Sequence, residues 1–285
     1  MDNYQIELYE RFSNYVTYPK YGTYPPYHTG KYLEDYFIEY YKTHFVKDKY
    51  FIPVSWTSCY NDNHLYGLQY QLSLLDNTKE YFVVSQHDDA IKENLPSNTK
   101  IFNAGGNTGR GNPIPLICSS IPKEFIKEYS KDIFCSFVGS LTHPIRNMIF
   151  NNLKDKKGYS FNPKNWRMDV LKSDMEQFFE ISQRSVFTLC PRGYGRSSFR
   201  LYECFQLNTI PVIIYDDKWL PFEDKINWNE ISVLVHYTQI SELDNILKSF
   251  NEEQIKNFLI KGKTIYQKFF TLEKVSENII NYLNG

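Results

Sequence analysis

The chain has 285 residues, 42% of them hydrophobic and 23% charged, with a formal net charge of −1. This length and balance suit one large or two modest folded units and exclude wholesale disorder. With no long run of one sign, non-specific attraction to nucleic acid or to an acidic membrane is excluded as the main business, and no nucleic-acid partner is expected. Aromatic residues reach 17%, led by 24 Tyr and 21 Phe. Aromatic faces suit sugar rings and flat bases, but large aromatic cores use them equally. The cysteines Cys59, Cys118, Cys135, Cys190 and Cys204 are scattered, odd in number and without a C-x-x-C pair, which reads as free thiols in a reducing compartment. The opening MDNYQIELYERF has no apolar signal-peptide core. No stretch approaches the roughly 18 apolar residues of a membrane span. A cytoplasmic protein is expected, with any membrane contact peripheral.

In chain order, residues 4–27 are rich in Tyr and Pro and read as an irregular surface arm. GKYLEDYFIEYYKTH follows, with Tyr32, Leu33, Tyr36, Phe37 and Tyr40 at helical spacing. KYFIPVSW reads as a buried strand, LYGLQYQLSLLDN as a helix, and KEYFVVSQ and TKIFNAG as further strands. The glycine-rich GGNTGRGNPIP has no Gly-Lys-Ser/Thr and so is no phosphate-binding P-loop; it reads as a flexible loop lining a cleft beside a hinge. After PIPLICSSIPKE the rhythm restarts. Strands are expected at DIFCSFVGS, GYSFN, SVFTLCP, TIPVIIY and ISVLVHY, and helices at PIRNMIFNNLKD, SDMEQFFEISQRS, RLYECFQL, QISELDNILKSF and EEQIKNFLIKGKTIYQKFF. Strands alternating with helices predict α/β lobes with parallel sheets. The expected division is 1–128 and 129–285, with the last helix free to pack back on the first lobe.

The segment richest in chemistry is CPRGYGRSSFRLYECFQLNTIPVII. A buried strand runs into a Pro-Arg-Gly-Tyr-Gly loop, and Ser197 and Ser198 lead into a helix. A helix N-terminus at the carboxyl end of a parallel strand offers free N–H groups and partial positive charge, which suit phosphate. Gly193 and Gly195 permit close backbone approach, and Arg192, Arg196 and Arg200 supply charge. Glu203, one turn after Arg200, can reach a ribose hydroxyl or pair with Arg200. By spacing alone, an exposed turn with an intrahelical ion pair fits equally well.

The longer stretch CPRGYGRSSFRLYECFQLNTIPVIIYDDKWLPFEDKINW resembles the signature of exostosin-like glycosyltransferases. The order of parts agrees: a Cys-Pro-Gly loop, Arg and Glu on a helix, Pro-Val-Ile-Ile, an acidic pair, Leu-Pro-Phe, and a Trp after an acidic turn. YFIPVSW, KEYFVVSQHDDA and DIFCSFVGSLTHPIR resemble other family segments, so the likeness covers roughly residues 25–235. Asp89 stands where that family has Trp. The resemblance implies a GT-B fold, with two Rossmann-like lobes facing across a cleft. It further implies an inverting transfer from a nucleotide-sugar donor, expected to be UDP-linked, to a glycan or glycolipid acceptor, without a bound metal. Donor contacts are then expected from Gly139, Ser140, Arg146, Arg192, Gly193, Tyr194, Ser197, Ser198, Arg200 and Glu203.

An inverting transfer needs a base on the acceptor side. Asp88 and then His87, at a strand end, are the expected catalytic pair, since clustered carboxylates raise one another's pKa. His28, Asp62 and Asp89 are expected to meet the acceptor. The pair Asp216–Asp217 reads as loop structure rather than a metal site. Two alternatives share the scaffold: a nucleotide-sugar epimerase or hydrolase, and a non-catalytic glycan- or nucleotide-binding relic.

Overall fold

The computed structural model describes residues 1–16, 31–167 and 170–285. The first lobe holds a parallel sheet of β1 (Lys49–Phe51), β2 (Glu80–Ser85), β3 (Thr99–Asn103) and β4 (Asn112–Pro113), in that spatial order. Successive side chains of a strand point to opposite faces, and the residues sort accordingly. Phe51, Phe82, Val84 and Phe102 share one core, together with Phe37, Ile38 and Tyr41 of α2 (Leu33–Tyr41). Tyr50, Ile52, Tyr81 and Val83 share another with α1 (Asn3–Arg11), α3 (Trp56–Asn61) and α4 (Leu68–Ser73).

Three expectations are corrected in this lobe. The supposed irregular arm begins as the helix α1: Asp2 caps it by accepting from Gln5 N, Leu8 and Phe12 are fully buried, and the Gln5 amide bonds both backbone groups of Phe51. Residues 17–30, including His28, lie outside the described residues. KYFIPVSW pairs only as far as Phe51; Pro53 has no N–H to donate, and Trp56 opens α3. Finally, no helix joins β2 to β3 or β3 to β4. That face of the sheet is covered from the far end of the chain by α10 (Leu272–Asn284). Val275, Ile279 and Leu283 join the cluster of Leu33 and Phe37, and the Tyr282 ring meets Phe102 edge-on at 5.5 Å.

In the second lobe the five segments read as strands all form. They are β5 (Ile133–Ser140), β6 (Tyr159–Lys164), β7 (Ser185–Pro191), β8 (Ile210–Tyr215) and β9 (Val233–His236). The sheet is parallel throughout, ordered β6-β5-β7-β8-β9. On one face Phe187, Leu189, Val212 and Ile214 pack with residues of α5 (Pro144–Leu153), α8 (Leu243–Lys248) and α9 (Glu252–Phe269). On the other lie α6 (Lys172–Arg184) and α7 (Phe199–Gln206). The two Rossmann-like lobes have the GT-B organisation. One apolar cluster runs from Phe37 and Phe82 to Tyr202, Trp228 and Phe270, so the lobes share core as well as surface.

Phe37 is fully buried and edge-on to Phe51 at 5.1 Å and Phe82 at 6.0 Å. Phe37→Ala is expected to lower the unfolding free energy by about 3–5 kcal/mol in urea titrations, a cavity effect. Truncation of the half-exposed Phe45 should stay within about 0.5 kcal/mol.

Candidate active site

The carboxyl ends of both sheets open onto one cavity of about 600 Å³, a volume suited to a nucleotide-sized ligand. Its two walls differ in charge. The first lobe contributes Glu34, Asp35, Asp62 and Asp88 and, among the described lining residues, no Lys or Arg. The second contributes Arg146, Lys164, Arg167 and Arg200, with Asp174 and Glu203 between them.

The basic wall is built from strand ends. β5 stops at Ser140, and His143 caps α5 by accepting from Ile145 N. Arg146, 8% exposed, donates from Nε to Arg192 O at 2.9 Å and from Nη1 to Ser140 O at 2.8 Å, tying the ends of β5 and β7 together. Arg200 lies in the first turn of α7. Its guanidinium stacks over Phe137 at 4.9 Å and Phe178 at 5.6 Å, and Nη2 donates to Val138 O. A Cβ at position 139 would fall 2.5 Å from that Nη2, so glycine lets the guanidinium lie against the end of β5. Arg200 Nε and Nη1 are buried with no hydrogen-bond partner among the described residues, a costly state for charged donors that an anionic ligand would relieve.

The acidic wall carries displaced pKa values. Burial and the neighbouring Asp89 charge push Asp88 up to about 6, against the pull of Arg192. Burial holds His87 below the usual imidazole range, favouring its neutral form. The Asp88 carboxylate makes no hydrogen bond among the described residues, whereas His87 Nδ1 accepts from Asp89 N. Asp88 Oδ1 lies only 2.0 Å from where a Cβ of residue 195 would stand. Gly195 is what lets the base candidate reach the opposite loop.

Nine of the ten expected donor residues line the cavity: Gly139, Ser140, Arg146, Gly193, Tyr194, Ser197, Ser198, Arg200 and Glu203. His87, Asp88 and Asp62 line it too. Arg192 does not. It turns into the seam between the lobes, pairing with Asp216 at 2.8 Å and donating to Asn107 Oδ1 at 2.9 Å. Asp89 is also displaced from the acceptor role: it accepts from Asn107 at 3.0 Å and Tyr194 at 3.2 Å, bonds that outweigh burial and hold its carboxyl low. The glycine loop lines no part of the cavity either. Its Gly105 O accepts from Arg196 N at 2.9 Å, and Asn103 O, just before it, accepts from the Trp219 indole at 3.1 Å, because both strand ends press the loop against the second lobe.

Glu34 and Asp35 were passed over by the sequence reading. Glu34, 3% exposed, accepts from Thr57 N at 3.0 Å, Thr57 Oγ1 at 2.7 Å and Gln86 N, and burial raises it to about 7. Burial raises Asp35 to about 6. A signal was present: Glu34 heads the helical stripe that continues through Phe37, Ile38 and Tyr41, all buried. An acid at the head of a core stripe is unusual unless the site uses it. No group of three or more side chains with metal-ligating chemistry occurs among the described residues, and no described helix is long and apolar enough to cross a membrane.

Residues 121–250 match the exostosin GT47 domain. The chain is 45% identical over 87 residues to "Probable glucuronosyltransferase GUT1" of Oryza sativa subsp. japonica, and 44% identical over 87 residues to "Probable beta-1,4-xylosyltransferase IRX10" of Arabidopsis thaliana. Each match covers 30% of this chain and 21% of the relative, so the chain spans about a fifth of the length of these relatives. Among solved structures, that of WaaG, a glycosyltransferase involved in lipopolysaccharide biosynthesis, is 10% identical with a TM-score of 0.40, over 80% of this chain and 81% of that one. Most of the second lobe thus falls within a segment that resembles the exostosin GT47 domain.

Two outcomes test this geometry. Gly195→Ala should lower the melting temperature by forcing Asp88 away, at about 1–3 kcal/mol, and Asp88→Ala in the same chain should restore most of the loss. Because folding raises the Asp88 pKa from 3.8 to about 6, the folded state binds the proton more tightly, and stability falls as pH rises through that window. The total is up to about 3 kcal/mol before screening. Asp88→Asn should therefore match the parent near pH 4 and exceed it in denaturant titrations above pH 6.

Proposed function

We propose that the chain is an inverting glycosyltransferase that moves a sugar from a nucleoside-diphosphate donor, taken as UDP-linked, to a hydroxyl of a glycan or glycolipid. The observation that carries this is the Arg200 guanidinium at the cavity wall, whose buried Nε and Nη1 have no hydrogen-bond partner among the described residues, beside the N-terminus of α7. The diphosphate lies against Arg200, Arg146 and the Ser197–Ser198 turn, with Glu203 on the ribose. These groups stabilise the charge that grows on the leaving diphosphate, so the transfer needs no metal. Asp88 takes the proton of the acceptor hydroxyl while its oxygen attacks the anomeric carbon. The bond to the diphosphate breaks on the opposite face, and its electron pair leaves with the nucleoside diphosphate. His87, neutral and beside Asp88, borders the same acceptor space. The GT47 domain supports this class of reaction. The cysteines, with no disulfide among the described residues, support a cytoplasmic setting, where a membrane-borne acceptor is met peripherally.

Arg200→Ala should weaken UDP binding about 30-fold by calorimetry, the loss of charge-assisted hydrogen bonds. Unchanged UDP affinity would overturn the donor assignment. Asp88→Asn should retain UDP affinity but cut turnover by about 10²–10⁴. In the parent chain, turnover should rise with pH along a limb centred near 6, where Asp88 ionises. UDP release should depend on added glycan; release without it would indicate an epimerase or hydrolase instead.

A further inference from the structure

We propose that Trp166 is the platform on which the donor's nucleobase stacks. This rests on the nucleotide-donor reading above and names a residue it leaves open. β6 is the edge strand beside β5, with Gly139 paired to Pro163 and Ser140 to Lys164. Since the Arg200 guanidinium sits on Gly139, the phosphate cradle is one strand away, about 4.8 Å sideways. Trp166 follows two residues beyond Lys164, about 6.6 Å further along the chain at most. It therefore lines the same cavity as Arg200 at a distance that a nucleoside carried on a diphosphate held there can span.

The other tryptophans are accounted for by the fold. Trp56 and Trp228 are buried, and Trp219 donates its indole N–H to Asn103 O. Trp166 is 59% exposed and lines the cavity. The same wall carries Val170, Met175 and Phe178, the last lying under Arg200, together with Lys164, Arg167 and Asp174. The acidic groups of the first lobe are on the opposite wall. An exposed indole on a wall of apolar and cationic side chains, in one cavity with the Arg200 cradle, has the chemistry to receive a flat heterocycle carried on a diphosphate. Stacking uses the π-face that every base presents, so the platform tolerates different bases.

Binding of UDP, GDP and inorganic pyrophosphate to the full chain tests this, since pyrophosphate engages the cradle without a base. Trp166→Ala should weaken both nucleotides about 10-fold or more while leaving pyrophosphate unchanged, and Trp166→Phe should recover most of the loss. Tryptophan fluorescence should change on adding UDP to the parent chain but not to Trp166→Phe. Equal losses for nucleotide and pyrophosphate, or no loss for either nucleotide, would overturn the stacking role. If the parent chain binds neither nucleotides nor pyrophosphate, the donor reading itself fails and the platform with it; pyrophosphate binding without nucleotide binding overturns the platform alone. Because Trp166 is exposed, neither variant threatens folding.

Discussion

The site depends on how closely the loops at the carboxyl ends of the two sheets are pressed together. Asp88 occupies the space that a side chain at residue 195 would need, and the surrounding bonds hold that approach in place. Arg196 N meets Gly105 O, Tyr194 reaches Asp89, Arg192 reaches Asn107, and the Trp219 indole reaches Asn103 O. Each such bond contributes only about 1 kcal/mol. Together with the shared apolar cluster, they place an acid of one lobe against the glycine loop of the other. A cleft wider by one side chain would separate the base candidate from the anion cradle.

Within that frame, burial is the common cause of the site's electrostatics. It raises Asp88, Asp35 and Glu34 toward neutral pH on one wall and, among the described residues, leaves two Arg200 nitrogens without acceptors on the other. Both states cost stability, and a fold selected for stability alone would remove them. Glu34 has a different part from Asp88. Its carboxylate is taken up by Thr57 and Gln86 N, so it positions the chain immediately before His87 and Asp88. Asp88, without a hydrogen-bond partner among the described residues, retains lone pairs for a proton.

Much of the second lobe was legible because its central strands β7 and β8 are short, mostly buried apolar runs between turn residues. SVFTLCP and TIPVIIY need only local pattern to be recognised, and the arginine and glutamate of α7 follow from helical spacing. The first lobe was harder to read. Its β1 is cut short by Pro53, two of its strand connections carry no helix, and the cover on its sheet is supplied by α10, more than a hundred residues away in the chain. The last helix was expected to be free to pack back on the first lobe, but no local signal specifies which strands so remote a helix covers.

The sequence by itself determined the strand-to-helix turn at residues 191–200, its arginines and glycines, and the acids after β2, because these depend on residue type and short-range spacing. Tertiary structure alone decided which charges face the cavity. Arg192 was expected with Arg200 among the donor contacts and Asp89 at the acceptor beside Asp88, yet Arg192 and Asp89 are spent on the seam while Arg200 and Asp88 face the cavity. The reason is geometric. A side chain's partners are set by which loops meet across the lobes, and that meeting is fixed by packing between segments far apart in the chain.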